Sequence, residues 1–176
     1  LLDDRNEFAV SAGRRIDRPT YRQINPFKFF LVPSTYVEGN PYLKPQLTWQ
    51  YDLSYTLDQK YTITLSYSST TDNITSVLIP SADDARVTIQ TDRNLATYYI
   101  YTASLSLPVD VAAWWSSNNN INAYYNKYAG DLANTQLNAA KFAFDVNSNN
   151  SFKISKTVTA ELNAVYTSNN VYGYLF

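Results

Sequence analysis

The chain has no cysteine, no histidine and no methionine, and only 4 glycines among its 176 residues. Without cysteine there are no disulfides and no thiolate metal sites. Without histidine the usual general base and the commonest metal ligand are gone. No apolar run approaches the roughly 18 residues that a membrane-crossing helix requires. An excess of one charge is also lacking: the formal net charge is −1, which leaves no electrostatic footprint for a nucleic-acid partner. Leu1-Leu2-Asp3-Asp4 carries neither a basic nor an apolar segment, so no export signal is legible there. A chain that opens on Leu and stops without a tail reads as one part of a longer protein, with residues 1–176 forming a single incomplete domain.

What is present is tyrosine, 16 residues of it, set in a pattern of period two. Leu47, Trp49, Tyr51, Leu53, Tyr55 and Leu57 alternate with Thr48, Gln50, Asp52, Ser54 and Thr56. That is a strand with one apolar and one polar face. After Asp58-Gln59-Lys60 the pattern restarts at Tyr61, Ile63, Leu65 and Tyr67, which predicts a hairpin. Further alternating segments hold Phe8, Val10 and Ala12; Tyr99 to Leu107, closed by Pro108; Ile121, Ala123 and Tyr125; Ala140 to Val146; and Val158 to Tyr166. The expectation is all-β, about seven long antiparallel strands, with no helical period.

Loop lengths, charge placement and aromatics turn this into a membrane reading. Short connections are expected at 58–60, near 108–112 and near 154–157; long ones at 15–45, 72–94 and 129–136. Sorted loops of this kind mark an up-and-down transmembrane β-barrel, with tight periplasmic turns and large extracellular loops. Glu7, Asp52, Lys141, Asp145 and Glu161 all fall on the polar parity, which would face the lumen, and only Lys127 departs, at a strand end. Trp49, Tyr51, Tyr99, Tyr101 and Tyr125 near outer strand ends, with Tyr61 and Trp115 near inner ones, read as aromatic belts. Single-chain bacterial barrels have an even number of strands, at least about eight, so seven strands imply a section of a larger wall in contact with outer-membrane lipid.

The first long connection is dense in motif. Pro19, Pro26, Pro33, Pro41 and Pro45 pre-shape it. Gly39-Asn40-Pro41-Tyr42-Leu43-Lys44-Pro45 reads first as architecture: it docks the loop and starts the next strand. Arg14, Arg15, Arg18, Tyr21 and Arg22 are the candidate solute contacts, since guanidinium forks beside tyrosine grip carboxylate or sugar; pairing with lumen carboxylates is the alternative. Asp83-Asp84 with Asp92 reads as a solvated acidic loop rather than a calcium site. The runs Asn118 to Asn120 and Asn147 to Asn150 name no ligand, and no cofactor is expected.

These residues resemble a known family. Gly39-Asn40-Pro41-Tyr42-Leu43-Lys44-Pro45 before an alternating strand is similar to a segment of TonB-dependent outer-membrane receptors. Arg14-Arg15-Ile16-Asp17-Arg18-Pro19-Thr20-Tyr21 with Asn25-Pro26-Phe27 looks like the outer-membrane β-barrel subgroup of Bacteroidota, as do Trp114 to Asn119, Tyr124 to Tyr128 and Val171-Tyr172-Gly173-Tyr174. Gln46 stands where the wider superfamily usually has Glu. The resemblance implies a barrel of about 22 strands with a plugged lumen. It also implies import of a scarce large solute driven by the TonB complex and a place in the bacterial outer membrane; a surface lipoprotein is a candidate further partner that the sequence does not show. Plug, coupling box and remaining strands lie outside these residues, and Phe176 reads as a break in the segment rather than a barrel terminus. Two other classes are compatible with parts of the pattern. One is a soluble β-sandwich that binds glycans or mediates adhesion. The other is an enzyme using Asp52, Asp145 and Glu161, disfavoured because no acid/base motif accompanies them.

Overall fold

The structure is a computed structural model that describes residues 5–84, 86–132 and 135–169. Its elements in chain order are β1 (Asn6–Asp17), α1 (Tyr21–Ile24), β2 (Phe29–Val32), β3 (Thr35–Val37), β4 (Gln46–Leu57), β5 (Tyr61–Pro80), β6 (Thr88–Ala112), β7 (Trp115–Leu132), β8 (Thr135–Lys153) and β9 (Thr159–Thr167). Seven strands form one antiparallel meander in the order β1-β4-β5-β6-β7-β8-β9. The alternating sequence sets the register. Val10 faces Leu53, Leu53 faces Leu65, and the row continues through Ala103, Ala123 and Phe144. One residue along, Ser11, Asp52, Ser66, Thr102 and Tyr124 form the matching row of the other face. A slip of one residue would exchange the two faces, so the pattern holds the pairing.

The wall has no core of its own. Val10 is 78% exposed, Phe142 58% and Val165 70%, although all are apolar and sit in paired strands. Among the described residues a single sheet is present, and no second sheet covers the apolar face as a soluble sandwich requires. Among the described residues no helix is long and apolar enough to cross a membrane, which leaves crossing by strands open. The residues that are buried and large, Tyr36, Leu43 and Val77, belong to the first long loop and the hairpin under it.

Three boundaries differ from the sequence expectation. Pro108 does not end its strand: it lies inside β6 opposite Asn118, and the turn falls at Ala113 and Trp114. The reason is local. Pairing with β5 begins at Thr62 and Ser106, so lower β6 has a neighbour on one side only, where a missing N–H is tolerated. The connection expected at 72–94 is mostly strand, with β5 and β6 paired up to Pro80 and Thr88. A left-handed Asp72, φ 53°, interrupts the ribbon without ending it. The connection expected at 129–136 shrinks likewise, as β7 and β8 pair to Leu132 and Thr135. A barrel strand needs about 9–11 residues to cross the membrane. β6 has 25, well beyond that length, and Tyr99 and Tyr101 lie at mid-strand rather than near an end.

The first long loop spends its residues on docking. Rooted beside β4, it reaches across the β5–β6 hairpin, and β3 pairs in parallel with β6 through Thr35–Thr88, Tyr36–Ile89 and Val37–Gln90. That stretch of β6 lies above Thr97, where pairing with β7 stops. β3 therefore covers an edge that would otherwise offer unpaired backbone groups.

Candidate functional site

The extracellular-type end is built from the loop upward. Thr20 opens α1, and Gln23 Oε1 accepts from the Thr20 backbone N–H at 2.9 Å and from its hydroxyl at 3.0 Å. This is a capping box without an acid, and it fixes a single helical turn. Asn25 Oδ1 accepts from the Phe27 N–H at 3.2 Å and aims the chain outward. The returning segment closes on this turn. Gly39 N–H donates to Asn25 O at 2.9 Å and Asn40 N–H to Gln23 O at 2.6 Å. A Cβ on Gly39 would collide with Asn25 O and sit 2.7 Å from Asn25 N and 2.8 Å from Gln23 O, all backbone atoms. Only glycine permits that approach.

The rest of the motif steps down β6. Glu38 N–H donates to Gln90 O at 3.0 Å, and Asn40 Nδ2 to Asp92 O at 3.1 Å. Asn94 Oδ1 accepts from Lys44 N–H at 2.8 Å while its Nδ2 donates to Lys44 O at 2.9 Å and to Asp72 O at 2.7 Å. Asn40 Oδ1 also accepts from Tyr42 N–H at 3.0 Å, which throws the Tyr42 ring out, while Leu43 turns in and is buried. Pro41 and Pro45 bring no donors to this seam. Asp92 beneath it is shifted above the ordinary carboxylate range by desolvation, opposed by Gln23 and the Arg22 charge. Gln23 and Asn94 carry no signal in the sequence, and Asp92, grouped there with the solvated acidic loop, instead sits partly desolvated beneath the docked motif, because partners distant in the chain leave no local trace.

The five candidate solute contacts separate. Arg14 and Arg15 lie in β1, not in the loop, and alternation sends them to opposite faces. The Arg14 guanidinium sits 5.4 Å from the Trp49 ring centroid on the apolar face. Arg15 bonds Asp17 at 2.9 Å and shares a shallow polar concavity with Gln50 and Asp52. Tyr21 and Arg22 line an open concavity with Asn25, Phe27, Lys28 and Phe29. Arg18, exposed at the loop's start, does not line it. Phe27 and Lys28 are additions, and the Asn25-Pro26-Phe27 turn was their only sequence signal. Lys28 sits 4.8 Å from the Tyr36 ring centroid, and its amine is held above its usual range chiefly by Tyr36.

The polar face is knitted by its own side chains. Asp52 accepts from Ser11 at 2.9 Å and from Gln50 at 3.1 Å, and Asp145 accepts from Asn122 at 2.8 Å. Thr48–Thr70, Ser54–Thr64 and Thr56–Thr62 hydroxyl pairs stand at 2.9, 3.2 and 3.1 Å. Lys141 and Glu161 share this parity, opposite Asn126 and Ser151. In the acidic loop Asp84 is held below the usual carboxylate range by Arg86, at 3.0 Å. Among the described residues no three acidic side chains converge as a metal site.

On the apolar face Tyr51, Tyr67, Tyr101 and Tyr125 form one row, and Trp49 and Tyr99 lie in the next. At the short-turn end are Tyr61, with Lys60 over its ring at 5.8 Å, and Trp115, stacked on Phe152 at 5.7 Å. That end also holds polar side chains on the apolar parity. Trp115 Nε1 donates to Asn150 Oδ1 at 3.0 Å, Asn150 Nδ2 to Ser148 at 3.0 Å, Ser148 to Asn119 Oδ1 at 2.6 Å, and Asn119 Nδ2 to Ser117 at 3.0 Å. The amides and hydroxyls satisfy one another. Tyr172, Tyr174 and Phe176 lie outside the described residues.

Comparison with known proteins agrees with this architecture. A family model described as outer membrane protein beta-barrel family matches residues 2–175. No curated protein matches the sequence. Among solved structures the chain is similar to the siderophore receptor PirA from Pseudomonas aeruginosa, at 16% identity and a TM-score of 0.71, over 92% of this chain and 31% of that one. It is also similar to the Pseudomonas aeruginosa ferric enterobactin receptor PfeA in complex with enterobactin, at 14% identity and a TM-score of 0.53, over 93% and 33%. The chain thus spans about a third of the length of these receptors.

Proposed function

The chain belongs to the outer membrane protein beta-barrel family, and from that premise we propose that it is a section of the wall of a TonB-dependent receptor that takes up a scarce solute. The rest of the barrel and an N-terminal plug come from outside these residues, and TonB engages through that part. The apolar face meets outer-membrane lipid, and the polar face with Asp52, Lys141, Asp145 and Glu161 lines the lumen. The observation that carries the reading is the combination of a seven-stranded wall with a loop folded back over its tall hairpin, which superposes on a siderophore receptor over 92% of the chain.

The concavity of Tyr21, Arg22, Phe27 and Lys28 is the part of this section that contacts the solute. Two cations beside exposed rings suit an anionic solute that itself carries rings, the chemistry of a ferric siderophore, through charge-assisted bonds and cation–π contact. Tyr21 is 76% and Phe27 78% exposed, so their faces are open to such a guest. A surface lipoprotein that closes over the loops is a further partner on this reading.

Uptake by intact cells tests it. Cells carrying the full-length protein accumulate labelled ferric siderophore, and loss of TonB or collapse of the inner-membrane proton gradient abolishes accumulation. Arg22→Ala weakens binding at the cell surface by about tenfold, as loss of one charge-assisted contact would. Accumulation that persists without TonB overturns the proposal.

A further inference from the structure

We infer that two copies of this wall pair side by side through a polar island on the apolar face of β7–β8, made of Ser117, Asn119, Ser148 and Asn150. The inference rests on the proposed facing, in which that face meets lipid. Strand pairing sets the four in a square, with Ser117 opposite Asn150 and Asn119 opposite Ser148. Apolar side chains close the square in on every side. Ile121 and Val146 stand in the row above it, and Trp115 and Phe152 in the row below. Leu107 and Val109 flank it on β6, and Leu162 and Ala164 on β9. A polar girdle at the headgroup level would run on across the neighbouring strands at the same height. Here both neighbours are apolar, and an aromatic pair separates the square from the turn.

The hydrogen bonds within the square leave capacity over. Asn119 and Asn150 each carry two N–H donors on Nδ2, and each spends one, on Ser117 and on Ser148. Ser117 accepts from Asn119, and its own O–H meets no acceptor among the described residues. Three donors are therefore left on a face turned to hydrocarbon, where an unmet donor is costly. Each Asn Oδ1 accepts one hydrogen, from Ser148 or from Trp115, and has a second lone pair to offer. The square thus holds spare donors and spare acceptors and no charge, so it is complementary to itself. Two barrels in one membrane share an orientation. The axis that relates them runs along the membrane normal, and a patch on the outer wall meets its own copy across it. Ser117, Ser148 and Ala164 are small enough to let two walls come close, and the amides then bond between walls as polar side chains do between helices in lipid.

The test uses full-length protein in outer membranes, with no other cysteine present. Under mild oxidation Asn119→Cys cross-links to a second copy. Leu65→Cys, on the same face at β5, and Asn118→Cys, on the opposite face, stay monomeric. In detergent, native mass spectrometry finds two copies of the wild type. Replacing Ser117 and Ser148 by Ala together with Asn119 and Asn150 by Leu raises the dissociation constant about tenfold, while the heat-modifiable mobility of a folded barrel is kept. Absence of the Asn119→Cys cross-link, equal cross-linking by Leu65→Cys, or an unchanged dissociation constant overturns the pairing and leaves TonB-dependent uptake standing. Cross-linking of Asn119→Cys to a different protein overturns it as well. Cross-linking by Asn118→Cys in place of Asn119→Cys overturns the facing, and the receptor reading with it.

Discussion

Gly39 lies so close to Asn25 that its N–H reaches the Asn25 carbonyl at 2.9 Å and no Cβ fits between them. The contact joins two motifs that are separate in sequence, Asn25-Pro26-Phe27 and Gly39-Asn40-Pro41. Gly39→Ala forces backbone against backbone, and overpacking of this kind costs about 1–3 kcal/mol. The loop undocks while the wall, which shares none of these contacts, still assembles. Limited proteolysis of outer-membrane fractions measures it: cleavage within 20–45 rises, and the heat-modifiable mobility of the folded barrel is kept. Unchanged cleavage would show the close approach to be dispensable.

Facing is tested by neighbours of opposite parity. Leu53→Arg places a cation on the apolar face opposite Leu65, at a cost of about 2–4 kcal/mol near mid-membrane. Ser54→Arg places the same cation among hydroxyls of the polar face. Folded protein in the outer membrane falls sharply for the first and stays near wild type for the second. Equal amounts of both would sink the assignment.

The polar chain from Trp115 to Ser117 makes a different kind of prediction. Asn119→Leu takes away the donor to the Ser117 oxygen and the acceptor of the Ser148 proton, and destabilises the barrel by about 1–3 kcal/mol. Replacing Ser117, Asn119, Ser148 and Asn150 together by apolar residues removes the stranded groups and recovers most of that loss. Urea-unfolding midpoints in detergent or lipid measure both. A fourfold variant less stable than the single one would refute mutual satisfaction as the role of the chain.

Loop docking depends on pH through Asp92. Its pKa is raised in the folded loop, so the docked form binds the extra proton. Docking strengthens as pH falls through that raised value and weakens as pH rises above it. Amide exchange across 38–45, corrected for intrinsic rates, slows as pH is lowered through the Asp92 titration, and Asp92→Asn removes the dependence. A dependence that survives Asp92→Asn assigns it to another group.

Strand existence, the two-faced alternation and membrane class were legible in the chain itself. Leu47 to Leu57 and Tyr61 to Tyr67 repeat with the period of a pleated sheet, and an apolar face with few charges next to a polar one has few uses outside a bilayer. Period two also fixes register locally, which is why seven strands are expected from the residues and seven form the meander. Strand ends were not legible, because Pro108 and residues 72–94 carry turn-like composition yet stay paired. Whether a proline or an irregular residue ends a strand depends on which edges its neighbours occupy, and that is a property of the sheet. The same holds for the candidate site. Arg14 and Arg15 look equivalent in a row of cations until alternation sends one to Trp49 and the other to Asp17. Gln23, Asp92 and Asn94 acquire their roles only when the loop crosses the hairpin. Local periodicity therefore determined the wall and its two faces, and the tertiary structure alone decided where the loop docks, because contacts between residues distant in sequence leave no periodic trace.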